Sequence, residues 1–123
     1  MPNSQQLHYI LGLGVKFYMD EKKLNEEMMN VVYSDEARQV FEKRLRALDE
    51  KAFTEEGIIQ SYEINKESIM HNPMGGIEVA LIINNDPEMD VSYTVNNFNG
   101  VLSGGASVVS EKLSKLLGRW EEN

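Results

Sequence analysis

The stretch GIEVALIIN at residues 76–84 is the most regular pattern in the chain. Every second residue in it is large and apolar: Ile77, Val79, Leu81 and Ile83. The residues between them are Glu78, Ala80 and Ile82. An apolar period of two is typical of a β-strand that buries one of its faces. The stretch therefore predicts a sheet that packs one face on a core.

Weaker period-two patterns lie on both sides of this strand. Turn-forming residues at Asn84–Glu88 and the hairpin dipeptide Asn99-Gly100 separate the patterns. Connections this short permit antiparallel pairing and exclude parallel crossovers. We expect Ser103-Gly104-Gly105 to end the sheet. The predicted strands are Ile59–Ile64, Gly76–Asn84, Asp90–Asn96 and a short Val101–Leu102.

Apolar residues at helical spacing flank the predicted strands. A first helix is predicted over Asp20–Tyr33, and Ser34-Asp35 supplies the N-cap of a second helix that ends before Gly57. A closing helix is predicted within Val109–Trp120. The second helix carries the clearest apolar stripe: Ala37, Val40, Phe41, Leu45 and Leu48. The predicted fold is α+β, an antiparallel three- to four-stranded meander covered by N-terminal helices and a C-terminal helix.

The composition limits the possible classes of function. The 123 residues include 12 basic and 20 acidic ones, a formal net charge of -8, and no cysteine. Without cysteine, disulfides, thiolate metal sites and cysteine nucleophiles are excluded. Because the chain has no cluster of basic residues, we do not expect it to bind the phosphate backbone of nucleic acid.

The negative charge is concentrated in the middle of the chain. Between Phe53 and Gly100, one basic residue, Lys66, stands against eight acidic ones. A sheet built from this segment has an anionic surface, which repels nucleic acid and anionic lipid and attracts a cationic protein partner. The alternative interpretation is that the charge serves solubility alone.

The N-terminal part contains an apolar tract, Leu7–Met19, that reads LHYILGLGVKFYM. A helix that spans a bilayer needs about 20 apolar residues, so this tract is short for the purpose. It is a remnant or altered membrane anchor, an amphipathic helix, or the first piece of the folded domain. We therefore divide the chain into residues 1–19, through which membrane association is one option, and a single α+β domain at 20–123. If the tract is not an anchor, we expect a soluble protein.

The candidate binding loop joins two predicted strands. It consists of His71, Asn72, Pro73, Met74, Gly75 and Gly76. Loops held by a rigid scaffold often carry recognition residues, which favours contact with a partner. The alternative is that proline and two glycines simply form a compact turn.

We predict no catalytic, cofactor or metal site. The chain lacks HExxH spacing, the GxSxG elbow and the phosphate-binding glycine patterns. Asp86, Glu88 and Asp90 are oxygen ligands of the kind that calcium prefers, but the glycine and bidentate glutamate of a twelve-residue calcium loop are missing. A solvated turn is the alternative, so ion binding at these three residues is left open.

Five segments of the chain carry a family resemblance: Tyr33–Ala37, Val40–Glu42, Ile69–Ile77, Leu81–Asp86 and Lys112–Leu117. Together they are similar to a family of short proteins from Gram-positive bacteria, the domain-of-unknown-function family thirteen-ten. The similarity extends from Asp20 to Gly118, and HNPMGG at residues 71–76 is its most specific stretch. The resemblance implies an N-terminal membrane-spanning helix with the domain on the extracellular face of the membrane. The family has no assigned activity or catalytic residues, so the resemblance transfers none to this chain.

The expected function is that of a non-catalytic binding or accessory protein of the bacterial cell envelope. Such a protein would contact a protein partner through the acidic sheet surface and the His71–Gly76 loop. One alternative is a small enzyme or ligand-binding domain, with a pocket around His71 that includes one of three carboxylates: Glu63, Glu67 or Asp90. Another is an oligomerisation module that uses Leu7–Met19. The oligomeric state is left open.

Overall fold

The computed structural model describes residues 22–118, which form three helices and four strands. The helices are α1, described over residues 22–32, α2 (Asp35–Leu48) and α3 (Glu111–Leu116). The strands are β1 (Tyr62–His71), β2 (Ile77–Ile83), β3 (Asp90–Phe98) and β4 (Val101–Val109). They form one antiparallel sheet in the order β1-β2-β3-β4. The predicted α+β fold with an antiparallel meander is confirmed.

The core lies between one face of this sheet and the helices. The strands β2 and β3 bury alternate residues as predicted: Ile77, Val79, Leu81, Ile83, Val91, Tyr93 and Val95. The helices contribute a complementary set: Met28, Val32, Ala37, Phe41, Leu45, Leu48 and Leu113. The Phe41 ring packs between two tyrosines of the sheet, with its centroid 6.4 Å from that of Tyr62 and 6.1 Å from that of Tyr93. These contacts fix α2 on the sheet.

Polar side chains cap the start of α2 and hold the loop that follows its end. At its start, the Ser34 hydroxyl accepts a hydrogen bond from the Ala37 N–H at 3.1 Å, which is the predicted N-cap. At its end, the Asp49 carboxylate accepts hydrogen bonds from the N–H groups of Ile58 and Ile59, both at 2.8 Å. The loop after α2 is therefore folded back on the end of the helix.

The first strand begins later and runs further than predicted. We expected a strand at Ile59–Ile64 and a loop from Ser68, but β1 covers Tyr62–His71 and the connecting turn is confined to residues 72–76. Ile59 lies before the strand and is buried, with its N–H bonded to Asp49. His71 is therefore the last residue of a strand.

A bulge explains why the period of β1 is hard to read. Between Asn65 and Met70, β1 contains three more residues than β2 has between their partners Ala80 and Glu78. The Ser68 hydroxyl fills the gap, because it accepts a hydrogen bond from the Ala80 N–H at 2.8 Å and donates one to the Asn65 carbonyl at 2.6 Å. A serine side chain thus replaces part of the backbone ladder.

The prediction that Ser103-Gly104-Gly105 ends the sheet is wrong. Strand β4 continues through these residues to Val109 and accommodates one extra residue between the pairs Tyr93–Ser107 and Val95–Gly104. Glycine is favoured at position 104 because the Tyr93 hydroxyl occupies the space of a Cβ atom and would have to move for any other residue. The glycine therefore marks a long-range contact within the sheet.

The closing helix is also shorter at its start than predicted. Val109 belongs to β4, and α3 begins at Glu111, after Ser110. The part of the predicted helix beyond residue 118 lies outside the described residues. So do the Leu7–Met19 tract and the start of the first predicted helix.

Candidate functional site

The sheet face opposite the helices is not covered by any part of residues 22–118. Its register places Met70, Phe98, Val101 and Val108 on this open face, where 56%, 68%, 67% and 69% of their surfaces are exposed. Several large apolar side chains exposed on one sheet face favour contact with a partner. The open face is therefore the principal candidate for partner contact.

Three carboxylates also lie on the open face. Glu63 and Asp90 flank Ile82 in one row across β1, β2 and β3, which places them roughly 10 Å apart at normal strand spacing. Glu78 lies in another row, between Met70 and Thr94. None of the three carboxylates forms an ion pair with a described residue. This face thus combines apolar side chains with unneutralised negative charge.

The candidate loop is a compact turn organised by Asn72. The Asn72 side-chain oxygen accepts a hydrogen bond from the Met74 N–H at 2.9 Å, and its carbonyl accepts one from the Gly75 N–H at 2.8 Å. Gly75 and Gly76 have φ values of 109° and 88°, in the region that favours glycine. A Cβ at Gly76 would also lie 2.8 Å from Asn96 Oδ1 and 3.0 Å from the Val95 carbonyl oxygen, so a larger residue would be crowded as well as strained.

The loop exposes its other residues. Met74, at the tip, is 95% exposed, and His71 and Pro73 are exposed as well. Asn72 supplies hydrogen bonds that hold the turn, so the exposed Met74 side chain is not needed to maintain it. The exposed side chains are available for contact.

Two of the three hairpin turns between the described strands lie at the same end of the sheet. The 72–76 turn joins β1 to β2, and Asn99-Gly100 joins β3 to β4 with φ values of 55° and 86°. The predicted tight hairpin at Asn99-Gly100 is confirmed. Four exposed apolar residues belong to these two hairpins, and we call them the hairpin-end patch: Met70, Met74, Phe98 and Val101. Phe98 and Val101 were absent from the sequence-based candidates, although their position beside the hairpin dipeptide is visible in the sequence.

His71 lines a shallow groove beside α1. The groove has a volume of about 240 Å³ and is lined by Leu24, Glu27, Met28, Val31, His71, Gly76, Ile77 and Asn97. None of the carboxylates named for a His71 pocket, Glu63, Glu67 and Asp90, is among these residues. The one carboxylate among the described lining residues is that of Glu27, at an exposed position on α1.

The Asp86–Asp90 turn is organised by internal bonds. The Asp86 carboxylate accepts a hydrogen bond from Lys112 Nζ at 2.6 Å and another from the Glu88 N–H at 3.0 Å. The bond from Lys112 and, to a smaller degree, that from the Glu88 N–H lower the pKa of Asp86. Among residues 22–118, no three His, Asp or Glu side chains are placed to hold a metal ion together.

Two tyrosines beneath α2 have raised pKa values. Burial, together with the negative charge of Glu42 and a 3.3 Å hydrogen bond to it, raises the pKa of Tyr62 to about 12. Burial also raises the pKa of Tyr93. A phenol that holds its proton this tightly is unsuited to act as a base or nucleophile near neutral pH. We therefore assign both tyrosines to the structure of the core.

No helix within residues 22–118 combines the length and apolar character that crossing a bilayer requires.

These observations define the class of protein: a small α+β domain whose antiparallel sheet is packed against helices on one face and, within the described residues, open on the other. The family model described as protein of unknown function (DUF1310) matches residues 6–116. The chain belongs to that family, in agreement with the resemblance found in the sequence. No curated protein and no solved structure matches the sequence.

Proposed function

We propose that the protein is a non-catalytic binding or accessory protein of the cell envelope that recognises a protein partner. The contact surface consists of the open sheet face and the adjoining His71–Gly76 loop. The single observation that carries this proposal is the exposure of the hairpin-end patch, with Met74 95% and Phe98 68% exposed. Exposed apolar side chains beside polar groups at one end of a sheet are typical of a protein–protein contact site.

The charges on the same surface favour a cationic partner. Glu63, Glu78 and Asp90 carry the only charges at the paired positions of the open face. Complementary charge accelerates encounter and selects among partners, whereas the apolar patch supplies most of the affinity. The binding we propose should therefore weaken, without disappearing, as salt rises.

Placement at the envelope is the second part of this proposal. Its support is the family resemblance, which implies a domain on the extracellular face of the membrane, together with the apolar Leu7–Met19 tract. Fractionation of the native protein tests it directly. Recovery from the cytosolic fraction alone would contradict it.

Capture of proteins from envelope extract at low and high salt tests the binding role. The bait variant Met74→Ser/Phe98→Ser should lose a partner that the natural sequence retains. Leu116→Ser is the matched control, because Leu116 is also exposed (52%) but lies on α3. A second pair of bait variants compares Glu63→Gln/Glu78→Gln with Glu55→Gln, because Glu55 lies outside the sheet. Equal capture by all baits, or no capture at either salt concentration, would contradict the proposal.

A further inference from the structure

The two edges of the sheet differ in how they are protected. Both edge strands contain a bulge, but only the β1 edge also carries charged side chains, Glu63, Lys66 and Glu67, which discourage pairing with another strand. The β4 edge reads Val101–Val109, VLSGGASVV, and has neither a charged residue nor a proline. Within residues 22–118, the β4 edge is therefore the less protected of the two and the more open to an additional strand.

A groove with a volume of about 420 Å³ runs beside this open edge. The α2 wall consists of Val40, Lys43, Arg44 and Ala47, and the sheet wall consists of Tyr93, Leu102, Ser103 and Gly104. An added strand at β4 would place every second side chain on the side of the sheet where α2 lies. Those side chains would meet the groove.

Positive charge on α2 faces the groove. Arg44 Nε donates a hydrogen bond to the Ser107 hydroxyl on β4 at 2.9 Å, which anchors the guanidinium beside the edge. Lys43 forms no ion pair with a described residue. By contrast, Arg38 and Arg46 of the same helix are both held by Glu42. Lys43 and Arg44 are therefore suited to bind a ligand that carries carboxylates.

We propose that β4 binds an extended acidic segment of a partner protein, which joins the sheet as a fifth strand. Backbone hydrogen bonds to β4 provide the pairing, as in β-strand addition generally. Acidic side chains at alternate positions of the segment reach Lys43 and Arg44 in the groove. The strand includes Val101 of the hairpin-end patch, but the groove lies on the side of the sheet where α2 packs, opposite the open face.

A second copy of this chain fits the edge less well than an acidic partner. Antiparallel pairing of two β4 strands about a twofold axis would bring both α2 helices to the same side of the combined sheet. The Lys43 and Arg44 pairs of the two copies would then approach one another. Like charges in this arrangement oppose association, whereas an acidic segment neutralises them.

Fluorescence anisotropy with a labelled octapeptide of alternating threonine and glutamate tests the proposal on the full chain. We expect binding that Lys43→Glu weakens by about fivefold or more, because it replaces attraction with repulsion. Lys66→Glu is the matched control: it makes the same charge change at the opposite edge and should have little effect. Any binding of a peptide of alternating threonine and lysine, through the acidic open face, should not be weakened by Lys43→Glu. Equal loss with both variants, or no binding of the acidic peptide, would overturn the proposal.

Hydrogen exchange distinguishes strand addition from contact through side chains alone. With the acidic peptide bound, amides of Val101–Val109 should exchange more slowly, while those of Tyr62–His71 should be unchanged. Protection from exchange that is confined to α2 would overturn the proposal. A twofold increase in mass in sedimentation without peptide would also overturn it, because it would indicate that a second copy occupies the edge. The response of Met74→Ser/Phe98→Ser separates the two proposals, because this variant should bind the peptide normally.

Discussion

The hydroxyl group of Tyr93 lies where the Cβ of any other residue at position 104 would be. We therefore expect Gly104→Ala to displace the Tyr93 ring, which packs on Phe41, and to cost about 1–3 kcal/mol. Gly105→Ala is the matched control, since its nearest contact is the movable side chain of Asn96 at 3.0 Å. Urea unfolding of both variants provides the measurement. Equal stability of the two would show that the contact with Tyr93 does not constrain position 104.

The raised pKa of Tyr62 predicts how the stability of the fold changes at alkaline pH. Burial and Glu42 raise its pKa from the ordinary 10.0 to about 12, so the folded state binds this proton more tightly than the unfolded state. The resulting stability is fully present below pH 10 and is lost as the pH rises through about 12. Tyr62→Phe should reduce the decline in unfolding free energy between pH 10 and 12, measured by urea unfolding. Tyr33→Phe, at an exposed position, should leave that decline unchanged.

At the scale of elements, the loop after α2 depends on one carboxylate. Asp49 accepts hydrogen bonds from the N–H groups of Ile58 and Ile59, and it also accepts one from Lys51. Asp49→Ala leaves these donors without their partner and should cost about 1–3 kcal/mol in thermal unfolding. Glu50→Ala, at the exposed neighbouring position, should cost little. Comparable losses from both would indicate that these bonds do not hold the loop.

Hairpins and alternating strands were predictable because their determinants are local. Asn99-Gly100 adopts the positive φ values that its residue types allow, and β2 buries every second residue from Ile77 to Ile83. Only adjacent residues enter such predictions, so no knowledge of the tertiary structure is needed.

The limits of β1 and β4 were not predictable for the opposite reason. Ser68 continues β1 by bonding to Ala80 on the next strand, and Gly104 continues β4 because of Tyr93 on the previous one. In each strand the deciding contact joins residues that are distant in sequence. Serine and glycine at these positions therefore resemble loop residues when the sequence is read alone.

At the scale of the whole molecule, the negative charge of the sheet was predictable, but the apolar residues exposed on the same face were not. The acidic middle segment indicated an anionic sheet, and Glu63, Glu78 and Asp90 do lie on one face of it. The apolar residues Phe98 and Val101 on that face were not predicted as a site, because apolar residues in a strand pattern are ordinarily assigned to the core. Exposure depends on which face the helices cover, and that is decided by the packing of the complete domain.

Two adjacent isoleucines on β2 test whether the sheet is covered on one face only. Ile83 is fully buried against the helices, whereas Ile82 lies on the open face between Glu63 and Asp90. We expect Ile83→Ala to cost about 2–5 kcal/mol, because it leaves a cavity that the core cannot fill. Ile82→Ala should cost about 1 kcal/mol or less, since it loses only strand preference and contacts with flanking side chains. Urea unfolding of the full chain compares the two variants. A cost for Ile82→Ala as large as that for Ile83→Ala would mean that the second face is also buried. That result would remove the surface on which the proposed partner contact depends.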